Sequence, residues 1–244
     1  MAIEIVESPS PNWDERPEGV SVDTVVLHYT GMRTGDEALS RMCDSGAKVS
    51  AHYMIEEDGS LFKLVPEGKR AWHAGVSHWK GRSNINHNSI GIELVNTGHE
   101  FGYAPFPEKQ INALLKLLRA IDGRHKIPRI GYIGHSDIAP DRKTDPGELF
   151  PWQRLSEQGF GVWSQLDGSN TEIVYENGDS GPEIASINKQ LGMVGYDCPN
   201  SLIYDANLER VILAFQRHWR PQWVTGCYDR GTALILEDIA SQMV

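Results

Sequence analysis

His28 closes the apolar run in "VVLHYTG", and His135 follows a second one, "IGYIG". Ten residues beyond His135, Asp145 stands before Pro146 and Gly147, a pair that turns the chain. Two strand-end imidazoles and a carboxylate on a constrained loop form a ligand set suited to zinc with a fourth position open. A metal held that way lowers the pKa of water to about 7 and polarises a carbonyl. The stretch "GHSDIAPDRKTDPG" also reads as a surface loop in which Asp137, Asp141 and Asp145 cap turns, and His28 alone reads as a satisfied core histidine. Spacing by itself leaves these readings open.

Strands are needed to deliver those side chains, and the pattern supplies them. Short β-branched or alternating runs at 23–30, 51–65, 89–96 and 129–137 are each stopped by turn residues, with "EDGS" marking a hairpin inside the second. Helical periodicity covers 36–46 and 107–126, the latter with Ile111, Leu114, Leu115, Leu118 and Ile121 on one face. Interspersed strands and helices predict an α/β fold. Residues 164–182, "SQLDGSNTEIVYENGDSGP" from Ser164 onward, carry no sustained period and predict a linker. Beyond it, amphipathic patterns at 182–192, 207–219 and 230–243 predict a small three-helix unit, too small to hold a deep active site of its own. The expected division is therefore 1–163, a linker over 164–182, and 183–244.

Charge narrows the function. Residues 1–155 hold 18 basic and 21 acidic side chains and residues 156–244 hold 5 and 12, within a net charge of −10. Both parts repel a phosphate polymer, which argues against nucleic acid as a partner. Nothing in the composition suggests membrane insertion. Cys43, Cys198 and Cys227 are odd in number and widely spaced, fitting free thiols better than a disulfide framework, although Cys198 and Cys227 are close enough in sequence to pair within one small unit. The sequence begins without a basic n-region or apolar h-region, so a cytoplasmic location is expected, or the periplasm or envelope had a leader been removed.

"VVLHYTG", "AHYMI", "AWHAGVSHWKGRSNINHNSIGIELVN" and "GHSDIAPDRKTDPG" occur in this order over about residues 10–155. Together they resemble the type 2 N-acetylmuramoyl-L-alanine amidases, zinc enzymes related to peptidoglycan recognition proteins and phage T7-type lysozyme. The resemblance implies a mixed β-sheet flanked by helices. It implies His28, His135 and Asp145 as zinc ligands, Glu93 of "GIELVN" as the carboxylate that activates water, and Lys143 as the cation beside the developing oxyanion. The implied partner is peptidoglycan or a muropeptide, and the bond cut is the one between (anhydro-)N-acetylmuramic acid and L-alanine.

Glu93 lies in an otherwise apolar strand, where burial raises a carboxyl's pKa and strengthens it as a base; pairing with a neighbouring arginine is the bland alternative. The two-residue offset of Lys143 from Asp145 puts both on one side of an extended segment. Tyr53, His73, Asn96 and Arg82 are candidates for substrate contact. Trp72 and Trp79, with Lys80 and Arg82, suit either glycan stacking or core packing. The segment around "AFQRHWRP" resembles a peptidoglycan-binding domain, with a structural cap as the alternative. A non-catalytic recognition protein of the same fold is the competing function; loss of the third ligand marks that class, and Asp145 is present. A zinc peptidase of the HExxH type is disfavoured because no such motif occurs.

Overall fold

In the computed structural model of the chain, which describes residues 4–243, the predicted strands join the short strand Val6–Glu7, which no sequence run signalled, in one six-stranded mixed sheet. Its order is Val6–Glu7, Leu61–Lys63, Tyr53–Ile55, Ser89–Leu94, Thr24–Tyr29, Tyr132–Gly134. The last four run parallel, and the Tyr53–Ile55 and Leu61–Lys63 strands pair antiparallel across the predicted hairpin. Parallel alignment brings His28, Glu93 and His135 to the same carboxyl edge, where open α/β sheets form their ligand crevices.

Register then sorts the side chains by face. His28 lies opposite Glu93, which lies opposite Met54. Leu27, Tyr53 and Ile92 face the other way, into a core closed by the Glu108–His125 helix through Leu114, Leu118 and Ile121. That helix buries the apolar face its period predicts. It runs past Gly123 and stops where Lys126 turns into the left-handed region, with φ 57°.

Three further helices, Pro182–Val194, Ala206–Trp219 and Arg230–Ser241, match the predicted C-terminal unit. Asp205 caps the second by accepting from the Asn207 and Leu208 amides, and Asp229 caps the third through Thr232. They share one apolar core with the sheet: Val26, Ile133, Ile138 and Trp79 cluster with Ile184, Leu191, Phe215 and Leu236. The segment expected to be a plain linker contains the strand Ile173–Tyr175, paired antiparallel with Tyr228–Asp229. Its partner lies more than fifty residues away, so no local period signals it.

A shared core makes the two parts thermodynamically dependent. Phe215 is fully buried, and F215A should cost roughly 3–5 kcal/mol while leaving denaturant unfolding a single transition. Separate transitions for sheet and helices would contradict the shared core. Among the described residues no helix is long and apolar enough to cross a membrane.

Candidate active site

The carboxyl edge of the sheet opens into a cavity of about 570 Å³ lined by His28, Tyr29, Glu93, His135, Lys143 and Asp145, among others. At its floor three atoms converge. His28 Nδ1 and His135 Nδ1 lie 3.0 Å apart, and they are 3.0 and 3.1 Å from Asp145 Oδ2. All three residues are buried.

Hydrogen bonds behind the triangle decide which ring nitrogens carry protons. Ser89 Oγ donates to the Ile85 carbonyl, 2.6 Å, so it accepts from His73 Nε2–H, 3.1 Å. With its proton on Nε2, His73 accepts at Nδ1 from His28 Nε2–H, 3.0 Å. His28 therefore turns a lone pair, not a proton, into the triangle. Burial, followed by the proximity of His135, pulls the His28 pKa down to about 4, which keeps the ring neutral at physiological pH. His135 donates through Nε2 to the Ala74 carbonyl, 3.2 Å, and presents Nδ1 inward too.

Lone pairs from His28 and an anionic oxygen pressed to 3.0 Å make a repulsive arrangement that a cation resolves. Bonds of roughly 2.0–2.1 Å at tetrahedral angles place ligand atoms about 3.3 Å apart, close to the observed edges. Two imidazoles and a carboxylate, with outer nitrogens anchored to protein acceptors, fit a zinc ion.

Local sequence explains this convergence. A Cβ on Gly91 would collide with the His73 ring, so glycine there lets that ring lie against the sheet behind His28. Gly147 has φ 82°, and a Cβ there would meet the Tyr103 hydroxyl, which itself donates to the Pro146 carbonyl, 2.7 Å. The amide of Ser136 donates to the Asp145 carbonyl, 2.9 Å, tying the two ends of the "GHSDIAPDRKTDPG" stretch together.

Glu93 stands at the cavity wall, and its Oε2 is sealed from solvent without a hydrogen-bond partner among the described residues. Among the described residues no arginine pairs with it. Burial pushes its carboxyl well above the usual range, the Asp145 charge adds to the rise, and Lys143 opposes it. A raised carboxyl contributes stability that is fully present below the ordinary Glu pKa of about 4.3 and lost as pH climbs through the folded value. In the metal-free protein, E93Q should therefore match the parent at about pH 4 and gain on it toward neutrality, as read from urea midpoints. A difference that does not change with pH would contradict a carboxyl whose Oε2 is sealed from solvent and unpaired.

Of the remaining candidates only His73 reaches the cavity. His73 borders the cavity, but both its nitrogens are engaged with His28 and Ser89, leaving none for a substrate. Tyr53 faces the helical layer and donates to Glu67, 2.8 Å. Asn96 is buried, donating to the Ala104 carbonyl and accepting from the Gly98 amide, so it shapes the loop after the Glu93 strand. Arg82 pairs with Asp23 at 2.7 Å, before the start of the His28 strand and so at its opposite end. Trp79 is buried against Tyr196. Arg142, not singled out by sequence, donates to the Ala74 and Val76 carbonyls and so ties the ligand loop to the segment that anchors His135.

A mixed sheet carrying a His/His/Asp triangle, a half-buried carboxylate and a lysine around one cavity defines a metal-dependent hydrolase of α/β architecture. The profile of the Amidase_2 family, described as N-acetylmuramoyl-L-alanine amidase, matches residues 18–148, and the chain belongs to that family. It is 36% identical to the N-acetylmuramoyl-L-alanine amidase AmiD of Escherichia coli over 96% of this chain and 89% of that protein. It is 39% identical to the 1,6-anhydro-N-acetylmuramyl-L-alanine amidase AmpD of the same organism, over 60% of this chain and 87% of the relative. Among solved structures, a complex of E. coli AmiD with anhydro-N-acetylmuramic acid-L-Ala-D-gamma-Glu-L-Lys superposes with TM-score 0.80 at 34% identity, covering 93% of each chain.

Proposed function

We propose that the chain is a zinc amidase that hydrolyses the amide between the lactyl group of N-acetylmuramic acid, or its 1,6-anhydro form, and the L-alanine of the stem peptide. The observation that carries this reading is the inward-facing triangle of His28 Nδ1, His135 Nδ1 and Asp145 Oδ2 beside the unpaired Glu93 carboxylate. His28, His135 and Asp145 would hold zinc, which supplies a Lewis acid and brings the pKa of water toward about 7.

The protein's own residues do the rest. Glu93, freed of competing donors, takes a proton from the attacking water as the new C–O bond forms. Lys143 places its ammonium where negative charge grows on the former carbonyl oxygen. As the C–N bond breaks, the proton held by Glu93 passes to the departing nitrogen, leaving a muramyl carboxylic acid and a free L-alanyl amine.

Residues 1–163 carry this chemistry in our reading, joined through 164–182 to the helices of 183–244. A wall-binding role for those helices rests on the "AFQRHWRP" likeness. Phe215, Gln216, His218, Trp219 and Arg220 of that segment are buried, so most of the motif serves the interior and only the half-buried Arg217 and Pro221 of it are open to a glycan. Soluble anhydro-muropeptides are the proposed substrates, by analogy with the compound bound in the AmiD complex. A cytoplasmic setting goes with that choice and with the unpaired Cys43, Cys198 and Cys227.

Side-by-side assays on an anhydro-muropeptide and on intact peptidoglycan test this reading. Faster release of L-alanyl peptide from the soluble compound is expected. Preference for intact polymer would overturn the substrate assignment, and binding of both without release would make the protein a recognition module.

A further inference from the structure

The C-terminal helices reach the metal-binding loop through one buried carboxylate. Asp137, two residues after His135, is almost completely enclosed. Its Oδ2 accepts from the Gly134 amide, 2.7 Å, and its Oδ1 accepts from the Tyr196 hydroxyl, 2.6 Å. His218 Nδ1 lies 2.7 Å from Oδ2 and, facing an acceptor, donates to it. Two of the three donors thus come from the C-terminal unit. The His218 ring is clamped between Trp152, centroids 3.8 Å apart and 18° from parallel, and Trp219, 3.7 Å and 2°.

These contacts bear on the site because of what Asp137 holds. Gly134 precedes His135, and the turn His135–Ile138 contains Ser136, whose amide binds the Asp145 carbonyl. Displacing Asp137 therefore moves the turn that carries one candidate ligand and braces another. A buried carboxylate stripped of a donor regains one by moving toward water, since leaving it unsatisfied is costly.

We propose that Tyr196 and His218 are positioning residues for the metal centre, acting through Asp137 to hold His135 and Asp145 in their converging geometry. The C-terminal helices are then part of the support of the active site, whatever else they contact. This inference rests on the reading that His135 and Asp145 bind zinc.

The test uses the full-length zinc-loaded protein and three variants: Y196F, which removes one oxygen; H218F, which keeps a ring between the tryptophans but no donor; and H218N, which restores an N–H near the position of Nδ1. Zinc transfer to a competing chelator is timed well below each unfolding temperature, alongside kcat and KM. Y196F and H218F should release zinc about 10-fold faster or more, the low end for groups that orient metal ligands. Their kcat should fall with KM little changed, and H218N should recover most of the loss. A merely stabilising network would lower the unfolding temperature without altering release from the folded state. Parent-like release in both Y196F and H218F would overturn the inference while leaving the zinc assignment intact; Y196F alone decides if H218F does not fold. A parent protein that holds no zinc would overturn the ligand assignment, and this inference with it.

Discussion

Replacing Asp145 by alanine should remove zinc and turnover together. Asp145 Oδ2 is the atom both imidazoles face, and its carboxylate is the one anionic member of the triangle. Without it a dication would meet two imidazoles only, against the three protein ligands of a catalytic zinc site. The backbone carbonyl that receives the Ser136 amide survives the substitution, so loss of metal is expected from an otherwise folded loop. Elemental analysis after dialysis should fall from about one zinc per chain to near none, with hydrolysis lost in parallel. Full zinc content with full activity would remove Asp145 from the ligand set.

E93Q should separate metal from chemistry. Glutamine keeps the shape of the side chain but cannot take a proton from water, and Glu93 stands opposite His28 in the sheet, not within the triangle. Zinc content should stay at the parent level while the rate of amide hydrolysis drops at least about 100-fold, the scale of general-base catalysis. An unchanged rate would require another base. The parent-level metal is what distinguishes this variant from D145A.

The ligand histidines were legible because each follows an apolar run, and the end of a buried strand is where a side chain leaves the core. Glu93 stood out as a carboxylate within such a run. Asp137 was visible as a turn-capping residue, which it is, through the Gly134 amide. Its partners were not, since Tyr196 and His218 lie 59 and 81 residues further along the chain.

Tyr53 shows what strand register adds. Neighbours in a strand point to opposite faces, and only the pairing of Met54 with Glu93 places Tyr53 on the helical side. Arg82 depended likewise on a long-range partner, Asp23. His218 did carry a signal: its spacing from Val211 and Phe215 puts it on the apolar face of its helix, where a buried imidazole demands a polar group to meet it. The short strand Ile173–Tyr175 carried only a weak one, three strand-favouring residues set among glycine, serine, asparagine and acidic neighbours, too short to show a period.

Identifying the broken bond tests the account most directly. The protein is mixed with a defined anhydro-muropeptide, with and without a zinc chelator, and the products are weighed by mass spectrometry. The expected result is free anhydro-N-acetylmuramic acid plus intact L-alanyl peptide, lost on chelation and restored by added zinc. Cleavage at any other bond, or the same products at an undiminished rate under chelation with the metal verified absent, would contradict it.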